Sequence, residues 1–353
     1  MGGIGLWRAV VVVGIGLCAA APAFADIDMA ALHDAAKQEG ALNLYGGGPR
    51  APYLERAARF EKRFPGIKVN FVNGPSNVLS VQIDDARKAG KPVADIAVLQ
   101  TIQDYVAWKK QGVLTSFKPD GWQLIPDQFK DPDGAFLGHQ LIMVAHAYRP
   151  DLVNVPISTV KDFLNPAFKG KVITTYPHVD DVTLYHFTKI TERYGWSFFD
   201  DYAKLEPKWV RGHLGVAQAL EKGDAASTID QITSMNKATT LFIPADEPVT
   251  VFQLTLAIFA DAPNPNAAKL YVNWYLSNEE AATVPSEGSW STRPDIAPPA
   301  GFKPLSAYKL NDEYVSFITG DAAKLDALRA RFKAYSGDVT RSEERRVGKE
   351  CRL

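Results

Sequence analysis

The chain of 353 residues contains only two cysteines, Cys18 in an N-terminal apolar run and Cys351 in a charge-dense tail. The body between them is cysteine-free, which excludes structural disulfides, thiolate metal sites and a cysteine nucleophile. An excess of charge is missing too, with 39 basic against 40 acidic residues. Setting aside Arg8 and the five basic and three acidic residues of 341–353 leaves a body near −4. That balance is no footprint for nucleic acid, which wants a basic patch. The apolar run 9–20 is too short to cross a bilayer. Internal repeats and low-complexity linkers are absent, as are G-x-S-x-G, H-E-x-x-H and P-loop signatures, so little supports an enzyme. Asp131-Pro132-Asp133-Gly134 superficially resembles a calcium loop, but Phe129 stands where the first acidic ligand belongs, so it reads as a turn. Gly14-Ile15-Gly16 lies in the apolar run without a strand and helix around it, and no cofactor is expected.

At the N-terminus, Arg8, the apolar run and Ala23-Phe24-Ala25 before Asp26 predict a cleaved secretory signal peptide over 1–25. Leu17 precedes Cys18 where a lipoprotein signal places a small residue, so a lipid anchor is not expected. Residues 341–353, RSEERRVGKECRL, read as a non-native tail.

The body, 26–340, alternates strands and helices, which argues for an α/β fold with a mostly parallel sheet. A helix over 29–39 stops at Gly40; strands are expected over 41–45, 67–72, 94–99, 141–148 and 171–175. Helices are expected over 53–64, from Ser76 as N-cap, over 102–111, after Asp180-Asp181, and over 216–220. The segment 251–282 is the most informative. An apolar strand breaks at Asp261-Ala262-Pro263-Asn264-Pro265, and a helix follows with Asn264 as N-cap and Pro265 at its first position. Ala267, Leu270, Tyr271 and Trp274 give that helix one apolar face. Ser277 and Glu280 form a capping box for a second, short helix.

This returning segment resembles the one that ties together the two lobes of solute-binding proteins of bacterial ABC importers. Leu42-Asn43-Leu44-Tyr45-Gly46, Pro92-Val93-Ala94-Asp95-Ile96, Phe168-Lys169-Gly170-Lys171-Val172, Glu221-Lys222-Gly223-Asp224 and Thr292-Arg293-Pro294-Asp295 resemble further landmarks of that family. The resemblance implies a two-lobed periplasmic-binding-protein type II fold with a ligand cleft between lobes. It divides the body into lobe 1 (26–140 and 252–290) and lobe 2 (141–251 and 291–340). It also implies a periplasmic, monomeric protein that captures a small-molecule solute by lobe closure and delivers it to an ABC permease in the inner membrane. A periplasmic enzyme on the same fold is the alternative of another class.

The branch most similar contains ferric-iron-binding proteins, whose ligands the resemblance places after the first strand, after the third strand and at a tyrosine pair. Here those positions hold Gly48-Pro49-Arg50, Gln100 and Ile232-Thr233. None is a hard anionic donor suited to a ferric ion, so no metal is expected and iron is the weaker reading. Gly47 and Gly48 allow close backbone approach, and Arg50 and Arg211 offer guanidinium forks to an anion. Ser76 and Asn77 stand at a helix N-terminus, with Gln100, Thr101, His178, Asp180 and Thr233 completing the candidate ligand contacts. Asp180 and Asp181 facing the cleft would favour an amine or cation. Arg293 reads as structural. Trp122, Trp196 and Trp290 are candidates for an apolar wall, though core is the commoner place for tryptophan. The expected solute is a small polar or anionic organic molecule.

Overall fold

The computed structural model describes residue 1 and residues 27–236 and 238–340. The segment read as a signal peptide, beyond its first residue, and the tail from 341 lie outside the described residues. In chain order the first part comprises α1 (Met29–Glu39), β1 (Ala41–Gly47), α2 (Arg50–Arg63), β2 (Lys68–Gly74), α3 (Ser76–Lys88), β3 (Ile96–Leu99), α4 (Ile102–Lys110) and β4 (Leu137–Tyr148). Next come β5 (Ile173–Thr175), α5 (Asp181–Tyr194), α6 (Ser197–Ala203), β6 (Lys208–Val210), α7 (His213–Lys222), β7 (Ser227–Ile232) and β8 (Thr240–Phe242). The last part comprises β9 (Val249–Ile258), α8 (Pro265–Tyr275), α9 (Asn278–Ala281), β10 (Trp290–Ser291), β11 (Leu310–Asn311), α10 (Tyr314–Ile318) and α11 (Ala322–Ser336).

The local chemistry explains most of these boundaries. Asp28 caps α1, its carboxylate accepting from the N–H groups of Ala30 and Ala31, and Gly40 ends it in the left-handed conformation (φ 74°). Pro265 opens α8 as expected, but Asn264 does not cap with its side chain. Its backbone N–H and its side-chain amide both donate to Asp95, at 2.6 and 2.9 Å. Asp95 is fully buried and also accepts from Asn43 N–H, so one carboxylate fastens β1 to the turn before α8. Side-chain capping does occur at the next helix, α9, where Ser277 accepts from the Glu280 N–H. Glu280 itself turns away to Arg56 and Arg59 instead of closing the box. Ser76 is not the N-cap of α3: Pro75 holds that place, and the Ser76 hydroxyl accepts from Gln100 N–H at 3.2 Å. The 131–134 turn is a turn, with Asp131 accepting from the N–H groups of Asp133 and Ala135. Arg293 is structural, its guanidinium donating to the Leu276 carbonyl and to Asp295.

One nine-stranded sheet, in the order β10-β4-β9-β3-β1-β2 with β7, β8 and β11 attached, runs through the molecule. In the first lobe β1 pairs in parallel with β2 and β3, and β3 pairs antiparallel with the end of β9 (Ile96 opposite Ile258). The first two-thirds of β4 pair with β9, and its last residues pair with β7 and β8. β4 and β9 therefore join the β1–β2–β3 part of the sheet to the β7–β8 part. The parallel pair β5–β6 joins the second lobe through a bridge between Val172 and Ser227. Phe60, Tyr271 and Trp274 pack ring to ring under the first lobe, and Phe187, Phe199 and Phe332 do so under the second.

Candidate functional site

Two adjoining cavities of about 760 and 230 Å³ lie where the lobes face each other, and Gly48, Gln100, Leu214, Ile232 and Met235 line both. The floor of the larger chamber is the crossing pair, with Gln140 and Ile142 from β4 and Phe252 and Leu254 from β9. Its far wall is the face of α7 carrying Leu214, Ala217, Gln218 and Glu221, spaced one helical turn apart. The near wall is the end of β1 and the start of α2.

The β1–α2 loop is built for close approach. A side chain on Gly47 would collide with the Ser76 hydroxyl. Gly48 has φ +100°, which an L side chain rarely adopts. Tyr53 donates its hydroxyl to the Gly47 carbonyl, and Asn73 donates its amide to the carbonyls of Gly46 and Gly48, all at 2.9 Å.

The smaller chamber gathers the beginnings of four helices. Ser76, Asn77 and Val78 open α3, and Thr101 precedes α4. Asp180 and Asp181 open α5, and Gly212, His213 and Leu214 open α7. Helix N-termini carry partial positive charge and N–H groups without partners inside the helix. The first-lobe side of this chamber, Gly48, 73–78, Gln100 and Thr101, bears no charged side chain. Thr101 is buried, with the Asp104 carboxyl of α4 beside its side chain.

The second-lobe side holds Arg211 and a buried charge relay. His213 Nε2 lies 3.2 Å from Asp230 Oδ1, and His213 Nδ1 lies 3.8 Å from Asp180 Oδ2. Burial opposes charge on this imidazole, but Asp230 and Asp180 outweigh it and raise its pKa to about 9. Burial pushes the Asp230 carboxyl up while His213 pulls it down, for a net lowering; Asp180 is raised by burial. Asp230 is held further by the Thr183 hydroxyl (3.0 Å) and the Thr175 N–H (3.3 Å). Both cleft-facing acids already have partners. Asp180 caps α5 through the Thr183 N–H, and Asp181 accepts from Gln103 and Arg329.

Gly47, Gly48, Ser76, Asn77, Gln100, Thr101, Asp180, Arg211 and Thr233 all line the cleft. Arg50 and His178 do not. Helix α2 begins at Arg50, three residues earlier than expected, and its exposed side chain lies over the Phe71 ring. His178 Nδ1 is 3.1 Å from the Ser336 hydroxyl at the end of α11. Trp122, Trp196 and Trp290 pack outside the cleft; Trp122 and Trp290 are buried, and Trp196 packs against Phe332. Sequence reasoning missed His213, Leu214 and the floor residues. A readable signal existed for α7, where Gly212 and the i, i+4 pair Leu214 and Gln218 put an apolar side chain on an otherwise polar face.

The three positions where the iron-binding branch would place ligands all reach the cleft, as Gly48, Gln100 and Ile232-Thr233. Among the described residues no group of three or more His, Cys, Asp or Glu could hold a metal ion. Tyr53, the single tyrosine among the described residues that line the cleft, is buried with its hydroxyl on Gly47.

A search of curated protein sequences finds no match. Among solved structures, the chain is similar to AfuA of Actinobacillus pleuropneumoniae with fructose-6-phosphate bound, at 18% identity and TM-score 0.70, over 85% of this chain and 99% of that one. It is similar to iron-bound HitA of Pseudomonas aeruginosa at 16% identity and TM-score 0.66, over 83% of this chain and 99% of that one. A substrate-binding protein of an ABC transporter from Agrobacterium tumefaciens aligns at 14% identity and TM-score 0.70, over 84% of this chain and 94% of that one. These likenesses establish the two-lobed α/β fold. A family model described as bacterial extracellular solute-binding protein matches residues 47–282, two-thirds of the sequence. The chain belongs to the bacterial extracellular solute-binding protein family.

Proposed function

We propose that this protein captures a small organic oxyanion in the periplasm, closes its lobes over it, and presents the closed form to an ABC permease without chemically altering the solute. One observation carries the choice of ligand: the beginnings of four helices converge on the smaller chamber, beside Arg211. A carboxylate or phosphoryl group there would accept from backbone N–H groups at the start of α3. Arg211 would meet it from the second lobe, so the closed state gains a contact that the open state lacks. Asp180 and Asp181 are engaged by Thr183, Gln103 and Arg329, so their presence does not select an amine.

Iron fits poorly as the cargo, because glycine, glutamine, isoleucine and threonine stand where hard anionic donors would be needed. Lobe 1 comprises 26–140 and 252–290, and lobe 2 comprises 141–251 and 291–340. The protein works as a monomer after removal of a signal peptide, 1–25.

Thermal shift against carboxylates, phosphonates, sugar phosphates, amines and ferric citrate tests the reading. A hundredfold excess over the dissociation constant stabilises the native state by about 2.7 kcal/mol. An oxyanion should raise the unfolding temperature, and Arg211→Ala should weaken its binding at least tenfold. Stabilisation by ferric ion alone would overturn the proposal, as would recovery of a converted solute.

A further inference from the structure

The smaller chamber accounts for only part of the cleft. Adjoining it is a space about three times as large, lined by large apolar side chains together with neutral polar ones such as Gln140, Gln218 and Asn236. Ile142, Phe252 and Leu254 on the crossing strands face it from below, and Leu214, Met235 and Leu241 face it from the second lobe. The chamber's own charged residues do not suit an oxyanion. Glu55 and Glu221 are acidic, and Arg56 is held by Glu280 and Glu287. A second anionic group would therefore be repelled where an apolar group would be accepted.

Leu214 adds an independent observation. It is 38% exposed, and of the exposed large apolar side chains among the described residues it alone lines the cleft, where both chambers meet. A leucine held open where the two cavities meet gains burial only when something apolar fills the space beside it. Ligand sites of this combined size bury organic molecules of appreciable bulk, with mostly apolar walls and a few polar groups fixing orientation.

We infer that the solute is amphiphilic, an organic acid whose oxyanion head sits in the smaller chamber and whose apolar body of several carbons fills the larger one. The inference rests on the oxyanion reading above. It assigns specificity to the larger chamber: the head orients the ligand, and the body sets which acid is preferred. Very small acids such as acetate leave the crossing strands facing water, and dicarboxylates place their second charge among glutamates.

Calorimetric titration of the full chain with straight-chain carboxylates from acetate to octanoate, and with the matching alkylphosphonates, tests this. Affinity should rise about fourfold per methylene, the equivalent of about 0.8 kcal/mol, until the chamber is full. Whichever head binds, its series should show this slope; the two series differ only in which head is preferred. Leu214→Asn, at an exposed position, should leave the unfolding temperature of the unliganded protein unchanged and weaken octanoate about tenfold. Binding of the acids with no dependence on chain length would overturn the amphiphile while leaving the oxyanion site standing. Binding by no member of either series, together with stabilisation by ferric ion or an amine, would overturn both.

Discussion

Replacing His213 by glutamine should make the protein less stable by an amount that depends on pH, and the structure fixes the sign. The imidazolium lies between Asp230, which is fully buried, and Asp180, which is nearly so. Its folded pKa of about 9 stands above the ordinary 6.5. A raised histidine contributes stability that is complete below the unfolded value and is lost as pH rises through the folded one. From these two values, His213 contributes roughly 3 kcal/mol near pH 6, somewhat above 2 near pH 7, and under 1 near pH 9. Glutamine can still donate to Asp230 but carries no charge, so the variant lacks this contribution at every pH. Urea unfolding of both proteins near pH 6, 7.5 and 9 measures the gap. It should be largest near pH 6 and should close toward pH 9. A gap of equal size at all three pH values would mean that His213 is neutral in the folded protein, and the charge assigned to the second-lobe side of the cleft would be wrong.

Gly47→Ala should weaken solute binding with little loss of global stability, because the new methyl displaces the Ser76 hydroxyl and with it the Gln100 N–H that the hydroxyl holds; calorimetry with the preferred acid checks this. Arg56→Ala should destabilise by about 3–5 kcal/mol in chemical unfolding, since it leaves Glu280 buried and Glu287 nearly so, with Arg59 as the remaining cation. Phe60→Ala, at the centre of the first-lobe aromatic cluster, should cost about 3–5 kcal/mol by the same assay.

Much of the architecture could be read before any coordinates, because it is written in local signals. Gly40 stops α1, Pro265 starts α8, and the crossing strands are rich in apolar residues. The site was harder, for two physical reasons. In β4 and β9 nearly every residue is buried, so periodicity cannot distinguish the face that meets the core from the one that meets a cavity. Ile142 and Phe252 therefore gave no sign of lining a cleft. The second reason is long-range packing. His178 finds Ser336, and Arg50 joins a helix and lies over Phe71, contacts that nothing in their own neighbourhoods announces. Asp180, a candidate ligand contact by sequence, caps α5, and its nearness to His213 at the start of α7 is not legible in the chain.

The sharing of β9 between lobes also dictates an order of assembly. Until residues 249–258 exist, β3 has an open edge, since Ile96 can meet Ile258 only after most of the chain has been made. Asp95 likewise waits for Asn264. A chain emerging N-terminus first is thus kept from completing its first lobe while the second is still being synthesised. The first lobe is therefore finished by a strand that the chain reaches only after the whole second-lobe excursion, so neither lobe's sheet can be completed without the other's having been made.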